Sequence, residues 1–406
     1  MIWGLAWRNL FRNKRRTAIT LLAIVSGIVA LVVFGGFIEY TFWGLRETWI
    51  RTQIGHIQLH REGYTARGPA AAANFLIDDF PRLEAELGAL PHVRVVTARL
   101  TFAGLASTGD QTLTCKGMGV IPAAEEALTT FEALIAGQPL SQAPADGGIV
   151  GSELAKGLGR QVGEPLTILT TTVDGTINAV DVQLAGIGQS GSQDYDSVFV
   201  KLPLPVVQRL LNTTKVETIV LLLDDTERTG EVAASIQRLI HDQRLGLELH
   251  TWDQLAPFYH RVVAMYRGIF QVIRVIIATI VLVSIANTMT MSVFERVREI
   301  GTLRAIGTRR ARILQLFMTE GFLVGALGGV VGVGAGILAA LGINLAGGID
   351  IPPPPGMSRG YVALILLDPT VIVSAFLSTI VVATVSAIYP SLRAIRLNVV
   401  EALQHT

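Results

Sequence analysis

The stretch of this chain that most resembles a chemical site is Gly186-Ile-Gly188-Gln-Ser-Gly191, a GxGxxG match. A dinucleotide site needs a helix directly after the last glycine, because the amides at its N-terminus hold the pyrophosphate. Here SQDYDSVFV follows, which reads as turn then strand, so the match is read as a loop. The seven histidines show no HExxH or HxH spacing, and the single cysteine excludes an internal disulfide and a multi-cysteine metal site. Cys115 reads as a buried small hydrophobe. The 406 residues contain no GxxxxGK[ST] sequence and so no P-loop for ATP. No catalytic, cofactor-binding or metal-ligating residue is assigned. What is concentrated instead is charge. FERVREIGTLRAIGTRRARI, Phe294–Ile313, holds six arginines and two glutamates between two very apolar segments. One carboxylate, Glu320, falls inside an apolar segment, where an ionisable side chain is a functional suspect. It can snorkel to the membrane surface, pair with a loop arginine, or carry a proton or ion.

These groups need elements to position them, and composition says which kind. Half of the residues are apolar and 16% are charged, against about 25% charged in a soluble globular protein. Four stretches hold the roughly 20 apolar residues that a helix needs to cross a bilayer: 17–37, 269–293, 314–341 and 370–390. The first is too long for a signal-peptide core, and bulky FIEYTFWG follows it instead of a small-residue cleavage site, so it reads as a retained span. Residues 1–16, 294–313 and 391–406 together carry 13 basic and 3 acidic residues, whereas 38–268 with 342–369 carry 19 basic and 28 acidic. Positive loops stay in the cytoplasm. The expectation is a multi-pass membrane protein, both termini and the 294–313 loop cytoplasmic, with 38–268 and the 342–369 loop outside. The basic residues flank spans, which leaves no separate argument for nucleic-acid binding.

The outer segment 38–268 reads as mixed α/β. Gly55–His60, Val93–Ala106, Gln111–Val120, Glu217–Leu223 and Leu247–Trp252 have strand character, and Thr229–His241 has helical spacing. From Asp253, a good N-cap residue, helical spacing continues through Tyr259, Val263 and Tyr266, predicting a continuous stalk helix into the second span. The fold class is therefore an α-helical membrane protein with four transmembrane helices and a large α/β extracytoplasmic domain between the first and second.

In the third span, Gly321, Gly325 and Gly329 form one small-xxx-small row, and Gly328, Gly332 and Gly336 another. Such rows let helix backbones approach closely, either within one subunit or between two. Arg274 is expected near the outer membrane surface, where snorkelling is cheap. In residues 1–16, Trp3, Trp7, Leu10 and Phe11 share one face and Arg8, Arg12 and Arg15 lie largely on the other. That suits an amphipathic helix in the cytoplasmic interface, a positive flank for the first span, or both.

FERVREIGTLRAIGTRRARILQLFMTEGFLVGALGGVVGVGAG closely resembles the signature of the FtsX/MacB/LolC permease family of ABC transporters. GGIVGSELAKGLGRQVGEPLTIL (Gly147–Leu169), followed by VQLAGIG and VFVKLP, is similar to that family's MacB-like periplasmic core domain, and the order of elements agrees. The resemblance covers nearly the whole chain, with an FtsX-like permease domain at 269–400. It implies a permease subunit, not itself an enzyme, that works as a homo- or heterodimer with a second permease subunit. A separate cytoplasmic ATP-binding subunit would supply ATP and Mg. It also implies that Glu295, Arg296, Arg298, Glu299, Gly301, Arg304, Ala305, Ile306 and Gly307 form the coupling helix on which the ATPase docks. Val297, Ile300 and Leu303 would form its inner face. MacB itself carries an ATPase ahead of the first span and this sequence does not, which moves the expectation toward stand-alone LolC/LolE-like permeases. IPPPPG (Ile351–Gly356) in the last outer loop is similar to a segment of permeases that accompany periplasmic lipoprotein carriers or adaptors.

The leading functional expectation is extraction or export of a lipoprotein, lipid or other amphiphile by mechanotransmission, with membrane lipids as surroundings. The alternative is an FtsX-like signalling permease that regulates an extracytoplasmic partner such as a cell-wall hydrolase. The large outer segment argues against the second.

Overall fold

The computed structural model describes residues 2–12, 14–67, 74–128, 133–190, 192–352 and 361–395. In chain order the elements are α1 (Ile2–Arg12), α2 (Lys14–Trp49), β1 (Ile57–Arg61), α3 (Tyr64–Arg67), α4 (Phe80–Gly88), β2 (Val93–Ser107), β3 (Thr112–Val120) and α5 (Pro122–Leu128). Next come β4 (Ala133–Gly137), β5 (Gly147–Gly151), α6 (Ser152–Leu158), β6 (Pro165–Thr171), β7 (Ile177–Gln189), α7 (Gln193–Asp196), β8 (Phe199–Pro203) and α8 (Leu204–Leu211). β9 (Thr218–Leu223), α9 (Thr229–Gln243), β10 (Leu247–Thr251) and α10 (Trp252–Leu255) complete that region. α11 (Pro257–Glu295), α12 (Val297–Ala305), α13 (Arg310–Leu345), β11 (Ile349–Ile351), β12 (Tyr361–Ala363), α14 (Pro369–Ser386) and α15 (Ile388–Ile395) follow. The chain divides into two units, Met1–Trp43 with Arg261–Ile351 and Val362–Thr406, and Gly44–His260 with Pro352–Tyr361.

The α/β unit is built on one sheet, ordered β10-β1-β9-β2-β3-β8-β5-β7-β4, with β6 bridging β2 and β7. Long β2 organises it. Its first half pairs antiparallel with β9, its second half pairs with β3, and its last residues also pair with β6. Gly104 permits that last junction, since a Cβ there would run into the Leu169 carbonyl. β3 with β8 and β5 with β7 pair parallel. The β9–α9–β10 segment is a split unit: β1 lies between β9 and β10, antiparallel to both. Apolar residues of α4 (Leu83, Leu87) and α9 (Val232, Ile236, Ile240) are buried with Ile57, Val96, Ile219 and Leu221 of the sheet. Cys115 is buried in β3, and burial pushes its thiol up to about 11.

Two glycines of the GxGxxG match belong to this packing. Gly186 and Gly188 lie within β7. A Cβ on Gly186 would stand 2.7 Å from Leu134 Cδ1, and one on Gly188 would stand 3.1 Å from the Phe199 ring. Gly191 lies outside the described residues. One helical turn, α7, capped by the Ser192 side chain, precedes β8.

Among the described residues, four helices of the other unit are long and apolar enough to cross a membrane. The stretches 17–37, 269–293 and 314–341 lie within α2, α11 and α13. At 36 and 39 residues, α2 and α11 span about 54 and 58 Å at 1.5 Å per residue, well beyond a hydrocarbon core of about 30 Å. The fourth stretch is divided between α14 and α15. Pro390 explains the division: its ring clashes with the carbonyl four residues back, that of Ser386, where α14 ends.

The stalk differs from expectation at its start. Thr251, not Asp253, is the N-cap. Its side chain and that of Gln254 form a reciprocal capping box around the single turn α10. Ala256 (φ −113°, ψ 57°) then leaves the helical region, and α11 begins at Pro257, a residue with no N–H to give to a preceding turn. The run Pro353–Gly356 of IPPPPG, and Arg396 and Glu401 of the tail, lie outside the described residues.

Candidate coupling site

The arginine-rich stretch forms a short helix between two long ones. α11 ends at Glu295, Arg296 (φ −114°, ψ 16°) turns the chain, and α12 runs from Val297 to Ala305. Its end is a Schellman closure: Thr308 N–H donates to Leu303 O at 3.0 Å and Gly307 N–H to Arg304 O at 3.0 Å. Gly307 occupies the left-handed position with φ +93° and open space around it. That conformation excludes most side chains on backbone grounds alone.

One face of α12 is buried, through Val297, Ile300 and Gly301, with Leu303 half-buried. Ile300 packs in a small cluster with Val293, Ile313, Phe317 and Ala394. The other face presents Arg298, Glu299, Thr302, Ala305, Ile306 and Gly307, with Glu295 exposed just before it. Ile306 is 78% exposed, an apolar knob in a strongly basic surrounding. Arg304 is half-buried and donates to the Ile395 carbonyl at 3.3 Å.

Arg296 points the other way. Its guanidinium meets Glu320 of α13 at 2.9 Å, with the two side chains 8% and 5% exposed. Asn9 of α1 donates to the same Glu320 oxygen at 2.7 Å, and Arg296 Nη2 reaches the Asn9 carbonyl at 3.4 Å. Two further ion pairs run from the N-terminal region to acids in and just before α12: Arg12 to Glu299 at 3.3 Å and Arg16 to Glu295 at 3.0 Å. Of the readings open to Glu320, the structure shows the pairing with a loop arginine. Asn9 was not legible as its neighbour, nor were Arg12 and Arg16 as partners of Glu299 and Glu295. The available signal was general: a carboxylate within an apolar helix needs donors.

The N-terminal helix α1 turns one face inward. Ala6 and Leu10 are buried and Asn9 half-buried, while Trp3 and Trp7 remain about half exposed. Trp3 meets Phe322 of α13 edge-on at 5.8 Å. Arg274 in α11 stands 5.9 Å from the Phe270 ring centroid.

Both glycine rows of α13 are filled within the chain. Cβ atoms at Gly321, Gly325 and Gly329 would stand 2.6–2.7 Å from Ala387, Ala383 and Phe376 on the α14 side. Those at Gly328, Gly332 and Gly336 would stand 2.7–3.0 Å from Ile24, Ile28 and Val32 of α2. Among the described residues no group of three His, Cys, Asp or Glu side chains is placed to hold a metal ion.

Comparison with known proteins gives this architecture its class. Residues 17–239, over half of the chain, match the family model described as MacB-like periplasmic core domain, and residues 272–399 match FtsX-like permease C-terminal. The chain belongs to the MacB/FtsX family of ABC transporter permeases, multi-pass proteins of the bacterial inner membrane. It is similar to the lipoprotein-releasing system transmembrane protein LolE of Haemophilus influenzae, 22% identical over 98% of both chains. It is also similar to the pyoverdine export ATP-binding/permease protein PvdT of Pseudomonas entomophila, 25% identical over 98% of this chain but only 58% of PvdT. The solved periplasmic region of MacB from Actinobacillus actinomycetemcomitans aligns with a TM-score of 0.35 and 12% identity, over 52% of this chain and 95% of that one.

Proposed function

We propose that this chain is the permease subunit of a transporter whose ATP hydrolysis takes place in a separate cytoplasmic ATP-binding subunit, which holds the ATP and Mg. α12 is the element on which that subunit docks, with both chain termini on the same side. Ile306 enters a pocket of the partner, and Arg298 and Glu299 flank it. The observation that carries this reading is the two-faced α12. Its inner face is fixed to the bundle through Ile300 and Arg296, while its outer face offers one large exposed apolar residue, Ile306, among charges. A buried apolar anchor ringed by polar groups is how protein interfaces concentrate their energy.

The stroke then passes along α2 and α11, each of which carries residues of both units, to the α/β unit on the outer side. The subunit works as a dimer with a second permease chain. Its cargo is a lipoprotein, lipid or other amphiphile, handed to a periplasmic carrier or adaptor. Full-length similarity to a lipoprotein-releasing protein supports that cargo class.

The deciding experiment reconstitutes the full chain with its ATP-binding subunit in proteoliposomes holding a labelled lipoprotein. ATP-dependent release is expected, and Glu299→Lys is expected to abolish it while membrane insertion and ATP binding persist. Release that is absent with the unaltered chain, together with co-purification of a cell-wall hydrolase, would replace transport by signalling.

A further inference from the structure

Glu320 is a carboxylate set in an apolar helix, and its neighbours come from two other segments of the chain. A buried charge of this kind is tolerated only when its partners satisfy it, and removing one partner leaves the other charge uncompensated. Arg296, which supplies the opposite charge, is the residue at the break between α11 and α12 and occupies the position just before α12. Asn9, the second donor to the same oxygen, belongs to α1. The Arg296–Asn9 contact closes the triangle. Outside this junction, the Arg12–Glu299 and Arg16–Glu295 pairs continue the connection at the surface, where each contributes under about 1 kcal/mol. The specific tie is the buried one.

We propose that Glu320 is the positioning residue of the coupling site. One carboxylate fastens both α12 and α1 to α13, so that the three elements move as a single body and α1 is a third component of the surface that receives the force. The functional half of this proposal rests on α12 being the docking element; the positional half does not.

The test separates the two. Cysteines replacing Arg12 and Glu299 report the α1–α12 approach through a short bifunctional thiol reagent, applied to the full chain in lipid nanodiscs without any partner. With Glu320 intact, cross-linking is expected to be efficient. Glu320→Gln, and independently Asn9→Ala, are expected to lower the yield roughly tenfold, as suits loss of hydrogen bonds to a charged group. Arg296→Gln combined with Glu320→Gln is expected to recover most of the yield, because two amides can bond without an orphaned charge. Asn9→Ala carries the test if Glu320→Gln does not accumulate in the membrane. Unchanged yields in both single variants, or no recovery in the double variant, would overturn the positional claim. Lost cross-linking with undiminished ATP-driven activity in the reconstituted complex would uphold the junction and remove α12 from the coupling role.

Discussion

Alanine substitutions along α13 should sort its glycines by what faces them. An alanine Cβ at Gly325 would lie 2.6 Å from Ala383 Cβ and 3.4 Å from Ile380 Cα. At Gly332 it would lie 2.9 Å from Ile28 Cβ and Cδ1. At Gly334, on the same helix, it would meet nothing within 4 Å. Carbon atoms attract best at about 3.5–4.0 Å, so the first two substitutions overlap by up to an ångström and the third does not. Overpacking a filled site costs about 1–3 kcal/mol, and replacing glycine by alanine within a helix returns about 0.5–1 kcal/mol. Gly325→Ala and Gly332→Ala should therefore lose about 1–2 kcal/mol, and Gly334→Ala should be neutral or slightly more stable. The separation of about 2 kcal/mol is a roughly 30-fold change in the folding equilibrium. Sodium dodecyl sulfate titration of the protein in mixed micelles, followed by helical circular dichroism, measures it. The packing also predicts that the association state is unchanged in all three variants. Equal stability across the three, with a changed association state for Gly325→Ala or Gly332→Ala, would refute this. It would place the rows against another subunit instead of α14 and α2.

Other perturbations follow from other sites. Gly307→Trp forces a bulky residue into φ +93°, so the last turn of α12 should reform and Ile306 should move. ATP-driven activity should be lost while expression and membrane insertion, measured by fractionation, are kept. In the α/β unit, His56 Nδ1 accepts the Leu223 N–H at 3.1 Å, and its Nε2 faces Thr226 Oγ1 at 3.0 Å, which in turn donates to Glu47. Burial is the main reason that its imidazole titrates at about 4 instead of 6.5, and burial does the same for His60. Between those values the unfolded chain holds more protons than the folded one. Stability is thus complete above pH 6.5 and falls as the pH drops toward 4, by up to roughly 3 kcal/mol per histidine. Urea unfolding at pH 7.5 and pH 5.0 should show the difference, and His56→Asn should reduce it. Glu125 sits between Arg99 at 3.0 Å and Lys201 at 3.2 Å, all three buried. Glu125→Gln leaves that buried positive charge undercompensated and should cost about 3–5 kcal/mol of domain stability, read as a lower urea midpoint.

Some of this was legible without the fold, for local reasons. The four spans are runs of apolar residues whose length is matched to a bilayer, and no neighbour is needed to see them. β2, β3 and α9 follow periods of two and 3.6 that any short window contains, and they appear within a residue or two of where the periods put them. The stalk start was misplaced because Asp253 and Thr251 are both good caps. Only the reciprocal bonding of Thr251 with Gln254, and the missing N–H of Pro257, decide between them.

The sequence by itself therefore determined the class of the chain: an apolar four-span body, a mixed α/β insert, and a charged segment whose arginines resemble those of a permease family. Tertiary structure alone decided how these parts engage. It placed Asn9 beside Glu320, 311 positions away, and set Ile28 against Gly332 and Ala383 against Gly325. It slotted β1 between β9 and β10, and left Ile306 outward while Ile300 turned in. Periodicity carries the identity of a helix or strand because those bonds are made between near neighbours along the chain. The choice of partner is made by shape and charge brought together across hundreds of residues, and no local pattern records it.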